Sequence, residues 1–460
     1  MNMTAATYDV VVVGGGSGGY AAALRSAQLG LSVALIERDK LGGTCLHAGC
    51  IPTKALLHVA EVADSISHSA AVGIMSTLDK IDAQAVQTFK NGVVDRLHRG
   101  LQGLVDASDG ITYIRGEAVL VDSHTVAVDG EHLTGRHLVL ATGSTPRMIP
   151  GVDRGGRILT SEDALALAEI PASVVIIGGS VIGVEFASAW KSLGVQVTVV
   201  EALANLVPLE DASLSRQLER AFKKRRIDVR KNASVTDIAQ SDDGVTVTLA
   251  DRTQLVADYV LVAVGRGPRT EGIGLKEAGV DTDGGWITTD ERLRTSVEDV
   301  YAIGDVVRGL QLAHRSFAHG IFVAEDIAGL SPAPVRDSAL PRVTYSEPEL
   351  ASVGLSELEA RATYGEGIKT YEYNLAGNGK SQILQTAGIV KMIEDSNGVV
   401  VGVHMVGSRM SEQIGEAGLI VNLGLTSYSI AHMIHAHPTQ NEAIGEALLA
   451  LAGQPLHAHG

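Results

Sequence analysis

The chain has 460 residues, a formal net charge of −16 and only two cysteines, with a pI near 5.4. That acidity excludes nucleic acid or an anionic membrane surface as the main partner, and no uncharged apolar run reaches the roughly 18–20 residues that span a bilayer. The 52 glycines against 12 prolines suit an α/β chain with many tight strand–helix turns, and the length suits two to four domains.

In chain order, Tyr8 to Val13 reads as a buried parallel strand. It feeds Gly14-Gly15-Gly16-Ser17-Gly18-Gly19, a helical stretch from Tyr20 to Leu29, and a second strand from Ser32 that ends in Glu37. Glycines at Gly14, Gly16 and Gly19 allow the tight turn, backbone approach to a pyrophosphate and helix–sheet packing. Glu37 can accept a hydrogen bond from an adenosine ribose hydroxyl.

Next comes Gly42-Gly43-Thr44-Cys45-Leu46-His47-Ala48-Gly49-Cys50-Ile51-Pro52-Thr53-Lys54. With no third cysteine, a disulfide is either Cys45–Cys50 or intermolecular. In an ideal helix, residues five apart have Cα atoms roughly 8–9 Å apart, whereas a relaxed disulfide wants less than about 7 Å. Gly49 and Pro52 therefore predict a distorted helix start, where the bond is feasible and the helix dipole favours a thiolate. So short a loop removes little unfolded-state entropy. A close pair in an otherwise cysteine-free chain suits a catalytic disulfide in a reducing, cytoplasmic compartment.

The strand Leu138 to Leu140 leads into Ala141-Thr142-Gly143-Ser144, and then the glycine pattern returns. Ser173 to Ile177 is a strand, followed by Gly178-Gly179-Ser180-Val181-Ile182-Gly183, a helix to about Leu193, and the strand Gln196 to Val200 ending in Glu201. Gly14 and Glu37 are 23 positions apart, as are Gly178 and Glu201. Glu201 suits a free 2′-hydroxyl and repels a 2′-phosphate, and Ala202 to Asn205 contains no base, so NAD is expected over NADP. Ser180 breaks the glycine rule. Its bulk would push the cofactor away or its hydroxyl would bond a phosphate, and the sequence leaves both open.

Further strands run from Tyr259 towards Gly265 and from Val300 to Gly304-Asp305. An acid directly after a strand end suits a flavin ribityl hydroxyl, given two nucleotide units; alone it would read as a helix cap. In His435-Ala436-His437-Pro438-Thr439-Gln440-Asn441-Glu442, His437 steadied by Glu442 suits a base for a thiol. With both cysteines committed and no other dense His/acid cluster, no metal site is expected. Two dinucleotide units and a redox disulfide imply electrons moving among flavin, disulfide and nicotinamide.

These motifs resemble, from end to end, the pyridine nucleotide–disulfide oxidoreductases, and within them the branch that oxidises dihydrolipoamide for 2-oxo acid dehydrogenase complexes. The carrying segments are the two glycine loops, GGTCLHAGCIPTK, ATGS at 141–144, Ala302 to Asp305, Leu312-Ala313-His314 and the His435–Glu442 run. The resemblance implies an α/β fold with two Rossmann-like domains, FAD-binding at 1–147 and NAD-binding at 148–270, a central region at 271–340, and a C-terminal α+β dimerisation domain at 341–460. It implies cofactor contacts at Gly14, Gly16, Gly19, Glu37, Gly43, Thr44, Lys54, Ala118, Thr142, Gly143, Ser144, Gly178, Ser180, Gly183, Glu185, Glu201, Val235, Gly265, Asp305 and Ala313, the first loop serving FAD and the second NAD. Lys54 and Glu185 resemble the family's ion pair beside the flavin.

Catalysis is expected from Cys45 as interchange sulfur, Cys50 against the flavin, and His437 with Glu442 acting across a homodimer. In the family the His–Pro bond is often cis. No lipoyl domain is read, so the substrate arm is expected on another, lipoyl-bearing protein. A non-catalytic flavin-binding scaffold, a thiol-independent diaphorase and another NAD(P)H-dependent disulfide reductase are the competing readings.

Overall fold

A computed structural model describes residues 6–457. Its first sheet is built from β1 (Ala6–Val13), β2 (Val33–Glu37), β3 (Ile111–Arg115), β4 (Ala118–Leu120), β5 (Thr125–Val128) and β6 (Glu131–Leu140), in the order β3-β2-β1-β6-β5-β4. Val10 and Val12 pack on one side with Leu35 and Val139, and Val11 and Val13 on the other with Ala34 and Ile36. Successive side chains alternate faces, so a strand covered on both faces must be apolar throughout, and this one is. Helix α1 (Ser17–Gln28) follows β1. After β2 come α2 (Gly43–Ala48), α3 (Cys50–His68) and α4 (Ala83–Asp106).

The second sheet repeats the plan with β7 (Ile158–Leu159), β8 (Ser173–Ile177), β9 (Gln196–Val200), β10 (Asp228–Arg230) and β11 (Tyr259–Val262), all parallel, ordered β10-β9-β8-β11-β7. Helix α5 (Val181–Ser192) joins β8 to β9, and α6 (Ala212–Lys224) precedes β10. Leu56, Ala60 and Ala63 of α3 share one core with Phe186 and Trp190 of α5. This packing lays the cysteine-bearing helix against the second repeat.

The chain then returns to the first sheet. Strand β12 (Val300–Ala302) pairs in parallel with the end of β6, Val300 opposite Leu138, and α7 (Ala313–Ile327) packs on α1. The approach of these helices is close: a Cβ on Gly320 would stand 2.4 Å from the Gly18 carbonyl oxygen. Part of the region expected as a central unit is thus built into the first nucleotide sheet.

The C-terminal unit is an antiparallel sheet of β13 (Arg342–Thr344), β14 (Glu349–Gly354), β15 (Lys369–Asn374), β16 (Ile389–Glu394) and β17 (Val400–Gly407), ordered β13-β14-β17-β16-β15. It is covered by α8 (Met410–Asn422) and α9 (Glu442–Leu451) through Ile414, Ala417, Ile444 and Leu448. Buried Lys391 on β16 donates to both Asp211 oxygens, at 3.0 and 3.1 Å, and to Glu357 at 2.7 Å. Paired this way, a buried ammonium is tolerated and holds the sheet to the second repeat. No described helix is long and apolar enough to cross a membrane.

Candidate redox and nucleotide-binding site

The two glycine loops are built alike. Gly14 turns the chain at φ +105° and Gly178 at φ +111°. A Cβ on either would lie 2.3 Å from a carbonyl just past a strand end, that of Ala141 or of Ala263. At the third glycines the conflict is closer, 1.7 Å between a Gly19 Cβ and the Gly14 oxygen and 1.9 Å between a Gly183 Cβ and the Gly178 oxygen. These glycines let the helix start press onto the strand end. Glu37 accepts the N–H groups of Gly15 and Asp39 at 2.7 and 2.8 Å; Glu201 accepts those of Gly179 and Leu203 at 2.6 and 2.7 Å. Each carboxylate keeps lone pairs for a ribose hydroxyl.

The middle position differs. Gly16 and Ser180 cap their helices with nearly the same extended backbone, φ −71°, ψ −172° and φ −86°, ψ −171°. Among the described residues, a Cβ on Gly16 would meet only the Gly43 Cα, at 3.9 Å. The protein leaves that cradle open, as a pyrophosphate approaching the backbone requires. Ser180 places a Cβ in the corresponding cradle, and its hydroxyl caps no backbone N–H. Ala118 begins β4 two residues after Gly116, whose N–H donates to the Glu37 carbonyl at 3.0 Å. Val235 stands in a similar place, two residues after Ala233, whose N–H donates to the Glu201 carbonyl at 3.0 Å.

From Glu37 the chain reaches the cysteines. Gly42 and Gly43 turn at φ +106° and +56°, and α2 then ends at Ala48. Gly49 breaks the helix at φ −141°, ψ −114°, and Cys50 opens α3. The two cysteines therefore sit on two short-coupled helices, where the sequence predicts one distorted start. A Cβ on Gly49 would lie 2.9 Å from the Thr44 carbonyl oxygen, so glycine permits the joint. Cys45 and Cys50 are half-buried thiols. Donation from the Cys45 thiol holds Cys50 below the ordinary thiol value, at about 7, against burial and with help from the Lys54 ammonium. The same bond, with burial, pushes Cys45 up, partly countered by the Ser17 hydroxyl. Of the two, Cys50, at a helix N-terminus, is the one whose charged form is favoured.

Lys54, one turn along α3, donates to both oxygens of buried Glu185 on α5, at 3.0 and 2.9 Å. Burial works against the ammonium, yet the Glu185 carboxylate outweighs it and holds the Lys54 pKa up. Tyr345 lies against the pair, its ring 4.6 Å from Lys54 Nζ and its N–H 2.9 Å from Glu185 Oε1.

Ser144 Oγ donates to Asp305 Oδ2 at 2.7 Å. Arg266 donates to the Ser144 hydroxyl and carbonyl, both at 2.8 Å, and reaches Thr44 Oγ1 at 3.4 Å. Burial pushes the Asp305 carboxyl up, while Ser144, Arg266 and Arg315 pull it back. Asp305 Oδ1 accepts no hydrogen bond from the described residues, which suits a hydroxyl-bearing group at this point. Thr142 is engaged inside the protein, its hydroxyl donating to the Arg269 carbonyl at 2.6 Å; Gly143 accepts the Arg269 N–H at 2.9 Å. Gly265 turns at φ +104° after β11. Ala313 opens α7, whose cap Leu312 supplies no side-chain bond, so first-turn N–H groups remain for a ligand.

His437 and Glu442 are brought together but stand apart from this group. His437 Nδ1 lies 2.8 Å from Glu442 Oε1, and the His437–Pro438 bond is cis. Burial alone would raise the Glu442 carboxyl; the Thr439 N–H and His437 outweigh it and hold it below the usual range. The His437 side chain is 78% exposed, and among the described residues it makes no bond to the cysteine segment. Arg266, Tyr345 and Ser17 escaped the sequence reading. Arg266 directly follows the Gly265 turn, but nothing local shows that its guanidinium reaches Ser144 across 122 positions.

A family model described as "Pyridine nucleotide-disulphide oxidoreductase" matches residues 8–320, and the model of that family's dimerisation domain matches 340–448. A dihydrolipoyl dehydrogenase of Bacillus subtilis (strain 168) is 40% identical, aligned over 98% of this chain and 100% of the relative. One from Chlorobaculum tepidum is 40% identical over 96% of this chain and 97% of its own. Among solved structures, LpdA from Mycobacterium tuberculosis superposes with a TM-score of 0.90 at 26% identity, covering 97% of this chain and 99% of that one. The HOCl-induced flavoprotein disulfide reductase RclA from Escherichia coli gives 0.86 at 28% identity, over 96% and 99%.

Proposed function

This chain belongs to the pyridine nucleotide–disulphide oxidoreductase family, and from that premise we propose that it is a dihydrolipoyl dehydrogenase, oxidising dihydrolipoamide on a carrier protein with NAD as acceptor. The observation that carries this reading is the Cys45–Cys50 pair, with Cys50 at the start of α3 one turn before Lys54 and its Glu185 partner, in a chain with two acid-ended glycine loops. FAD and NAD are the cofactors of the family. The open cradle at Gly16, the hydrogen-bonded Glu37 and the free oxygen of Asp305 fit FAD; Gly178, Gly183 and Glu201 fit NAD. When bound, FAD supplies the two-electron chemistry that links a dithiol to hydride acceptance by NAD.

The chain's own groups handle protons and sulfur. His437, with Nδ1 committed to Glu442, takes a substrate thiol proton on Nε2. The substrate thiolate attacks Cys45 Sγ of the oxidised pair; one S–S bond forms as Cys45–Cys50 breaks, leaving Cys50 as thiolate. The second substrate thiol then attacks the mixed disulfide and passes its proton to the departing Cys45; the substrate disulfide closes, and the two electrons stay on the pair as the Cys45 thiol and the Cys50 thiolate. Lys54 holds the Cys50 charge.

The exposed His437 implies that it serves a second copy of the chain. The dimerisation domain supports a homodimer, and Leu419, Leu423, Tyr428 and Ile434, each between 63% and 95% exposed, supply apolar surface for one. The carrier is a lipoyl-bearing component of a 2-oxo acid dehydrogenase complex, met in the cytoplasm. Anaerobic addition of dihydrolipoamide to the flavin-loaded protein should produce a long-wavelength thiolate–flavin absorption band. A flavin-loaded protein with intact cysteines that gives no band and no turnover would refute the assignment.

A further inference from the structure

We infer that Arg315 and His319 are positioning residues that clamp the Gly304 peptide and thereby aim Asp305 at the cofactor's ribityl chain. The inference rests on the flavin reading above. The two side chains lie four residues apart on α7 and so share one helix face. They are 4% and 2% exposed. Gly304, between β12 and Asp305, is held at both ends of its backbone: its N–H donates to His319 Nδ1 at 3.3 Å, and its carbonyl accepts from Arg315 Nη1 at 3.4 Å.

The guanidinium is itself fixed, donating through Nη2 to the Arg308 carbonyl at 2.7 Å and through Nε to Asp337 Oδ1 at 2.9 Å. Gly304 turns at φ +72°, and a Cβ there would lie 2.9 Å from Ser316 Oγ on the same helix. Three residues of α7 therefore press on this turn, whose carbonyl also accepts the Val307 N–H at 3.3 Å, and the turn delivers Asp305 with Oδ2 on Ser144.

An imidazole buried this far needs a partner. Burial, with the nearby Arg315 charge, lowers its pKa to about 3, so His319 is neutral. With Nδ1 accepting, the proton sits on Nε2. An apolar side chain would fill the space but leave the Gly304 N–H buried and unpaired.

The test compares His319→Leu with His319→Asn, whose Oδ1 stands where Nδ1 stood, in holoenzyme. FAD release is followed by flavin fluorescence, and unfolding by circular dichroism. Leu should speed FAD dissociation about five- to tenfold, the scale of one hydrogen bond, and Asn should stay within about twofold of the parent. In an Asp305→Ala background the Leu substitution should add nothing, because its effect runs through Asp305. If His319→Leu does not fold, His319→Gln replaces it, since its acceptor lies one bond too far, and it should release FAD faster than Asn. Equal FAD release in all variants, Asn as leaky as Leu, or an undiminished Leu effect without Asp305 would each overturn the clamp. A parent protein that holds no FAD would instead overturn the flavin reading.

Discussion

The two glycine loops of this molecule share nearly every hydrogen bond and differ in the chain segment behind each. In both, the carbonyl of the residue after the first glycine, Gly15 or Gly179, accepts a backbone N–H from beyond the acid, that of Gly42 at 2.9 Å and of Val207 at 2.8 Å. In the first, Gly42 and Gly43 turn freely, and a Gly43 Cβ would sit 2.8 Å from Gly16 Cα. The cysteine segment therefore starts directly against the cradle. In the second, Val207 holds φ +43° while wholly buried. A β-branched residue adopts that conformation only when its surroundings enforce it, and the chain runs on to α6 with no thiol. On the function proposed above, cradle and chemistry are separable: the acid-ended loop serves as a dinucleotide cradle in either repeat, and the redox function comes from the segment behind one of them.

The most forceful challenge to that distinction is to remove the thiols. Cys45→Ser and Cys50→Ser should each lower dihydrolipoamide turnover by about 10⁴ or more, as loss of a covalent nucleophile does. FAD content and NADH oxidation by a quinone should persist, since those use the loops alone. Steady-state rates with both substrates decide it, and surviving lipoamide turnover in either variant would merge the two regions again. Only Cys50→Ser should abolish the long-wavelength band. In the unaltered reduced protein that band should fade as pH falls through about 7, because a thiol with a lowered pKa is anionic above that value and protonated below it. A band that outlives Cys50 would exchange the two sulfur roles.

Next in size, His437→Ala should slow dihydrolipoamide oxidation by about 10² to 10⁴, the worth of a positioned base. Among the described residues, His437 makes no bond to the cysteine segment of its own chain. Mixing His437→Ala with Cys45→Ser subunits should therefore restore about one working site per heterodimer. Failure to recover activity after verified subunit exchange would place base and thiol within one chain.

The smallest effect tests the one internal difference between the loops. Ser180→Gly should reopen the second cradle and tighten NADH about tenfold, roughly 1.4 kcal/mol, on the scale of a relieved packing conflict. FAD retention should not move. Rapid-mixing titration of both proteins measures it; weaker NADH binding would mean that the hydroxyl bonds a phosphate, and an unchanged dissociation constant would remove Ser180 from the comparison.

Much of this was legible in the chain. Strands such as Val10–Val13 and Ser173–Ile177 declare themselves because both faces are buried. The turns at Gly14 and Gly178 do so because only glycine accepts their φ and the carbonyl facing them. The break at Gly49 agrees with helix geometry. Other features were legible only through resemblance: Lys54 and Glu185 lie 131 positions apart and meet because α3 packs on α5.

The Arg266 bridge, the return of β12 to the first sheet and the hold of Arg315 and His319 on Gly304 had no local signal at all. Two nucleotide loops, their acids, the cysteine joint and the His437–Glu442 pair are written into the order of the residues, because backbone sterics and short-range hydrogen bonds act within a few positions. Which buried charges meet, and which helix face aims Asp305, came from tertiary packing alone, since desolvated polar groups take the partners that the close-packed helices bring to them.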